Sequence, residues 1–212
     1  MYGFNIITTV ALFGLAHAGD KIGFGPNFAV SSTGSTWIKE GNTTLILPET
    51  PSPQVERLAI WPGMETSNGN LVQALAVSFE DPAANCGAQK GQWCVWASTL
   101  QDVYNDSTGE YDQSSAINGE IVSTLSTSSG QAQRWDVAVE CQVDACTRRS
   151  PPHRYVDTTI ILNEANPYWS QGLNTKWSEN SGLETTDGGR TWTVSTIELN
   201  SHLYDESDIQ YD

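Results

Sequence analysis

Positive charge is what this chain has least of. Ten Lys and Arg stand against 25 Asp and Glu, for a formal net charge of -15. Nucleic acid and anionic membranes are polyanions that recruit basic patches, so this balance argues against both as partners. No segment after the first eighteen residues approaches twenty apolar positions, which excludes a spanning helix. Histidine is scarce, and with His17 in the leader described below only His153 and His202 remain as bases for a Ser or Cys nucleophile. Gly-x-Ser-x-Gly elbows and phosphate-binding Gly loops are missing. Cysteine is limited to Cys86, Cys94, Cys141 and Cys146, with no Cys-x-x-Cys and no His pair at ligand spacing, so neither metal nor cofactor is expected.

Residues 1–18 carry no Lys, Arg, Asp or Glu, and hold an apolar run from Ile6 to Leu15 ahead of Ala16-His17-Ala18. This reads as a secretory signal peptide with a small-x-small cleavage site. The expectation is a secreted, extracellular, monomeric glycoprotein. It comprises one domain over 19–203 and an acidic tail over 204–212 that frays. Outside the cell four cysteines imply two disulfides, and the short loops favour Cys86 with Cys94 and Cys141 with Cys146. Asn42-Thr43-Thr44 and Asn105-Asp106-Ser107 are glycosylation sequons, expected on surface loops.

Strand-like runs rich in Val, Ile, Thr, Trp and Leu recur from Thr36 to Leu199, each bounded by Gly, Pro, Asn, Asp or Ser, and none shows a sustained helical period. The reading is all-β, a sandwich or jelly roll. Thr185-Thr186-Asp187-Gly188-Gly189-Arg190-Thr191-Trp192 resembles an Asp-box hairpin. Asp187 would accept backbone N–H bonds, Gly189 would supply a positive φ, and Trp192 would pack beneath. It occurs once, which argues for a stabilising hairpin rather than a glycosidase propeller.

The chemistry centres on Leu71 to Phe79. If that run is extended, Leu71, Gln73, Leu75, Val77 and Phe79 share one face, and Gln73 is the polar exception. A buried amide needs partners, so Gln73 is either a bonded structural group or a site residue.

Several segments, in order, resemble the fungal glutamic peptidases. Trp61-Pro62-Gly63 is similar to the family's Trp-x-Gly strand end, and Leu71-Val72-Gln73-Ala74 to its Leu-Gln strand. Trp93-Cys94-Val95-Trp96 resembles its Trp-x-x-Trp segment, Ile117-Asn118-Gly119-Glu120-Ile121 its Gly-Asp turn, and Trp135-Asp136-Val137 a later core strand. The resemblance implies a concanavalin A-like sandwich of two curved antiparallel sheets, with Gln73 as oxyanion donor and a Glu as general base to a water.

Aligning Thr158 to Leu162 with the family's Glu-Trp-Ile-Val puts Thr159 where that Glu belongs, and replacing it by Glu164 would take a five-residue displacement along the strand. Two functions stay open. One is an incomplete catalytic pair, with a glycan, peptide or small ligand bound in the concave groove by Trp61, Trp93 and Trp96. The other is an acid hydrolase using Gln73 and Glu164 or another carboxylate. A third, polysaccharide lyase chemistry, rests on the basic cluster Arg148, Arg149, His153, Arg154 and Tyr155.

Overall fold

The computed structural model describes residues 21–95 and 99–211; the leader and Trp96 lie outside them. The strands are β1 (Lys21–Ser31), β2 (Ile38–Ile46), β3 (Leu58–Thr66), β4 (Leu71–Gln73), β5 (Ala76–Ser78), β6 (Cys94–Val95), β7 (Thr99–Asn105), β8 (Glu110–Ile117), β9 (Glu120–Ser128) and β10 (Ala132–Gln142). They continue with β11 (Arg149–Ser150), β12 (His153–Leu162), β13 (Leu173–Lys176), β14 (Ser178–Asn180), β15 (Thr191–Leu199), β16 (His202–Leu203) and β17 (Ile209–Tyr211). The protein is mostly β and its strand pairs are antiparallel, consistent with the sandwich or jelly-roll class.

One run of strands reads β9-β8-β7-β2-β12-β15-β14. The other has β1, flanked by β13 and β17, then β10, β3, β4 with β5, and β6. The two are joined where Ala132 pairs with Ile38. Phe28, Ile60, Trp135 and Val137 from the second run share a single buried cluster with Ile38, Tyr155, Ile160 and Trp192 from the first. Two layers therefore enclose the main core. Gly41 lets them close: a Cβ there would lie 2.3 Å from Cζ3 of Trp135, which is 0 % exposed.

The segment expected as one strand from Asn70 to Phe79 is split into β4 and β5. Its path stays extended, because Gln73 opposite Gly63 and Ala76 opposite Ile60 keep one register. In that register Pro62 stands opposite Ala74, whose N–H it accepts at 3.1 Å. Having no N–H of its own, Pro62 cannot return the bond, and the ladder is interrupted there.

A short helix, α1 (Pro82–Cys86), was not expected; Asp81 caps it by accepting from the Ala84 N–H at 3.0 Å, and Gly87 ends it in the left-handed region. The disulfides are Cys86–Cys94 and Cys141–Cys146, as the short loops implied.

The tail does not fray. Residues 209–211 pair with Lys21–Gly23 of β1. Asp208, buried, accepts from Lys176 Nζ at 3.0 Å and pairs with His202 Nε2 at 2.6 Å. Burial pushes the Asp208 carboxyl up, but the bonds from His202, Lys176 and the Asp205 N–H outweigh it and hold the group below the usual carboxylate range. Of the two sequons, only Asn42 departs from the expected surface loop. Asn105 opens a turn, where its Oδ1 accepts from the Ser107 N–H at 3.0 Å, whereas Asn42 lies inside β2 between Thr159 and Gln101.

The Asp-box hairpin forms as expected. Asp187 Oδ1 accepts from the N–H groups of Arg190 at 3.0 Å and Thr191 at 2.9 Å, and Trp192 is buried beneath with its Nε1 donating to the Gly189 carbonyl at 3.1 Å.

Candidate functional site

Strand alternation sorts the second layer into two faces. Val72, Ala74 and Ala76 belong to the main core, whereas Leu75, Val77 and Phe79 form a second cluster with Ala59, Trp61 and Ala138. Gln73 therefore stands on the outer face with the second cluster. By the same alternation Trp135, Val137 and Val139 of β10 point inward, and Asp136 outward.

The registers make a row of these groups. Asp136 pairs with Gly63, and Gly63 with Gln73. Gly63 supplies no side chain between them, and needs none: an added Cβ would sit 2.9 Å from Gln73 Cβ. The amide and the carboxylate thus flank a glycine, against which the Leu71 side chain also leans, two strands apart, or about 10 Å between their Cα atoms.

Asp136 is 5 % exposed. Arg134 Nη2 donates to its Oδ1 at 2.9 Å, and Arg134 Nε lies 2.6 Å from Oδ2 as an ion pair without hydrogen-bond alignment. Burial raises the Asp136 carboxyl to about 6; the bond and charge of Arg134 pull it down, and the charge of Glu65 adds to the rise. Burial outweighs the guanidinium, so Asp136 is poised to take up and release a proton in mildly acidic water.

Gln73 is part-exposed, yet its Oε1 is buried without a hydrogen-bond partner among the described residues, as is Trp61 Nε1 one row away. Unsatisfied buried polar atoms are costly, and these two lie on one face of the sheet.

The other expected site residues are dispersed. Trp61 is 5 % exposed and packs among apolar neighbours, which leaves no open ring face for a sugar. Trp93 packs against the main core, and its Nε1 donates to the Pro48 carbonyl at 2.8 Å. Glu164 sits in the loop after β12, in the opposite layer, where it is exposed and accepts from Ser35 Oγ at 2.7 Å. Thr159 is on β12 too, opposite Asn42 and Thr193. Neither strand partner brings either residue to Gln73.

The basic cluster splits likewise. Arg148, Arg149 and Arg154 are exposed, while His153 and Tyr155 face the core. Burial drives His153 down to about 4, against the pull of the Pro151 carbonyl, and lifts the Tyr155 phenol well above its ordinary value. These are core groups, and the lyase constellation does not assemble. Among the described residues, no group of three or more His, Cys, Asp and Glu is arranged to hold a metal ion.

The outer face continues through Val77 to Phe79, which lines a cleft of about 810 Å³ with Glu56, Glu80, Asp81 and Lys90. Six residues of extended chain, about 20 Å, separate Phe79 from Gln73, so the cleft is a separate feature.

No protein-family model matches the chain, and no curated protein matches it. Among the described residues no helix is long and apolar enough to cross a membrane.

Proposed function

We propose that the protein is a secreted hydrolase that cleaves peptide bonds, with Gln73 and Asp136 as its working pair. The observation that carries the reading is the row Gln73–Gly63–Asp136, in which an amide and a carboxylate raised to about 6 flank a residue that has no side chain.

The roles follow from the chemistry of the two groups. Ionised Asp136 accepts a proton from a water. The oxygen attacks the carbonyl carbon, and the Gln73 amide N–H groups take the developing oxyanion. Asp136 then passes its proton to the leaving nitrogen as the C–N bond breaks. Glycan stacking has less support, because Trp61 is packed and Trp93 is tied to Pro48.

The base must be ionised, so kcat/KM on a denatured protein should rise through an apparent pKa near 6 rather than peak at pH 3. Asp136→Asn should abolish turnover, and Gln73→Leu should lower kcat about 100- to 1,000-fold. Arg134→Gln should move the acid limb upward, because it removes the bond and charge that favour the carboxylate. Full activity in Asp136→Asn would end this reading.

A further inference from the structure

Trp177 stands where the chain leaves one layer for the other. It is the single residue between β13, which pairs with β1, and β14, which pairs with β15. The corner takes a φ of 50°, in the left-handed region that glycine or asparagine adopts with little strain and a bulky side chain rarely does. Backbone strain of this kind clusters at ligand sites. Trp61 and Trp93, expected to stack a sugar, are packed or tied down, whereas Trp177 is 42 % exposed.

The exposed ring is held in place from behind. His202 stacks on it at 3.7 Å between centroids and 19° between planes, and Lys176 Nζ lies 4.0 Å from its centroid. Both groups bond the buried carboxylate of Asp208, Lys176 at 3.0 Å and His202 at 2.6 Å. Bonds of that length from one carboxylate are too short to reach round an indole, so His202 and Lys176 lie on the same face. The exposure of Trp177 therefore belongs to its other face and its edge. Asn200, also exposed, adjoins it and donates its backbone N–H to the Trp177 carbonyl at 3.0 Å.

An open, immobilised indole face selects its ligand by shape and charge. Lys176 already supplies the cation that such a ring attracts, and it repels a second one. The net charge of -15 disfavours polyanions. An isolated apolar side chain gains most in a pocket that surrounds it, which a flat platform does not provide. A hexopyranose meets these conditions. It is neutral, it has a flat C–H face, and its hydroxyls stay in water or bond polar groups at the edge of the platform. We propose that Trp177 is a stacking platform for a neutral polysaccharide, outside the row of Gln73, Gly63 and Asp136. The assignment does not depend on the hydrolase reading.

The probes are soluble β-1,3-glucan, hydroxyethyl cellulose and α-mannan cast into native gels, with calorimetry on the hexasaccharide of whichever polymer retards the protein. At least one should retard it, with a dissociation constant for the hexasaccharide of about 1 mM, since a single ring makes the contact. Trp177→Asn suits the left-handed corner, so it should keep the urea midpoint of the wild type while weakening binding at least tenfold. The indole N–H resonance of Trp177, identified by its loss in Trp177→Phe, should shift as hexasaccharide is added. Should Trp177→Asn fail to fold, that shift decides alone. Retardation by none of the polymers, full binding in Trp177→Asn, or a resonance that stays in place would overturn the assignment. So would Trp177-dependent binding of a peptide or an acidic glycan alone. Asp136→Asn should bind the polymer as the wild type does, so loss of hydrolysis and loss of glycan binding are read separately.

Discussion

At pH 7 the carboxylate of Asp136 is ionised in a place that largely excludes water, and one guanidinium does not offset the desolvation. The sign of the linkage follows. The folded group titrates at about 6 and the unfolded one near 3.8, so between those values the folded state holds the extra proton. The stabilisation is fully present below 3.8 and is lost as pH rises through about 6. The difference amounts to about 3 kcal/mol. Asp136→Asn should therefore be more stable than wild type by about 1–3 kcal/mol at pH 7.5, with the gap closing near pH 3.5, as read by urea unfolding at both values. A gap that is the same at both would show that Asp136 is not desolvated. A group that weakens the fold where it is ionised is the kind retained for chemistry rather than for stability.

Elements carry their own pH dependence. In the hairpin before β15 the backbone and side-chain bonds of Thr191, helped by those of Thr185 and Arg190, hold Asp187 down to about 2 against the opposing rise from desolvation. A depressed carboxylate contributes above its unfolded value of 3.8, and that contribution is lost as pH falls through about 2. Asp187→Ala should cost amide-exchange protection at Arg190 and Thr191, with the difference from wild type persisting at pH 4 and gone near pH 2. Protection that is equal at pH 4 would mean that the turn does not depend on its carboxylate.

This hairpin was legible because its signal is local, a carboxylate, glycines and a tryptophan within eight residues. So was the face on which Gln73 stands, since alternation needs only one strand. Asp136 was written in the same code, as a charge between Trp135 and Val137, but its link to Gln73 passes through β3. A pairing register across three strands is a property of contacts distant in sequence. Glu164 drew attention only through an alignment of apolar residues on β12, which the fold puts in the other layer.

At the scale of the molecule, the question is what holds two antiparallel layers in one arrangement when almost every strand contact lies within a layer. The large rings settle it, Trp135 from one layer against Gly41 of the other. A Cβ on Gly41 would come within 2.3 Å, 2.8 Å and 3.1 Å of three atoms of the Trp135 ring. That ring is fully buried, with Phe28, Ile38, Ile60 and Tyr155 in the same cluster, so it has nowhere to retreat. Overpacking of a tight core costs about 1–3 kcal/mol, and Gly41→Ala should fall at the upper end or beyond. Shrinking the ring should relieve it. Trp135→Leu alone should also be destabilising, by about 3 kcal/mol, through the cavity it leaves. The double variant Gly41→Ala with Trp135→Leu should be more stable than the sum of the two losses by at least about 1 kcal/mol, because each change fills or vacates the same space. Urea unfolding of the four proteins closes the cycle. Strict additivity would show that the layers do not meet at this pair, and would take with it the account of why Asp136, next to Trp135 on the same strand, is held facing outward in register with Gln73.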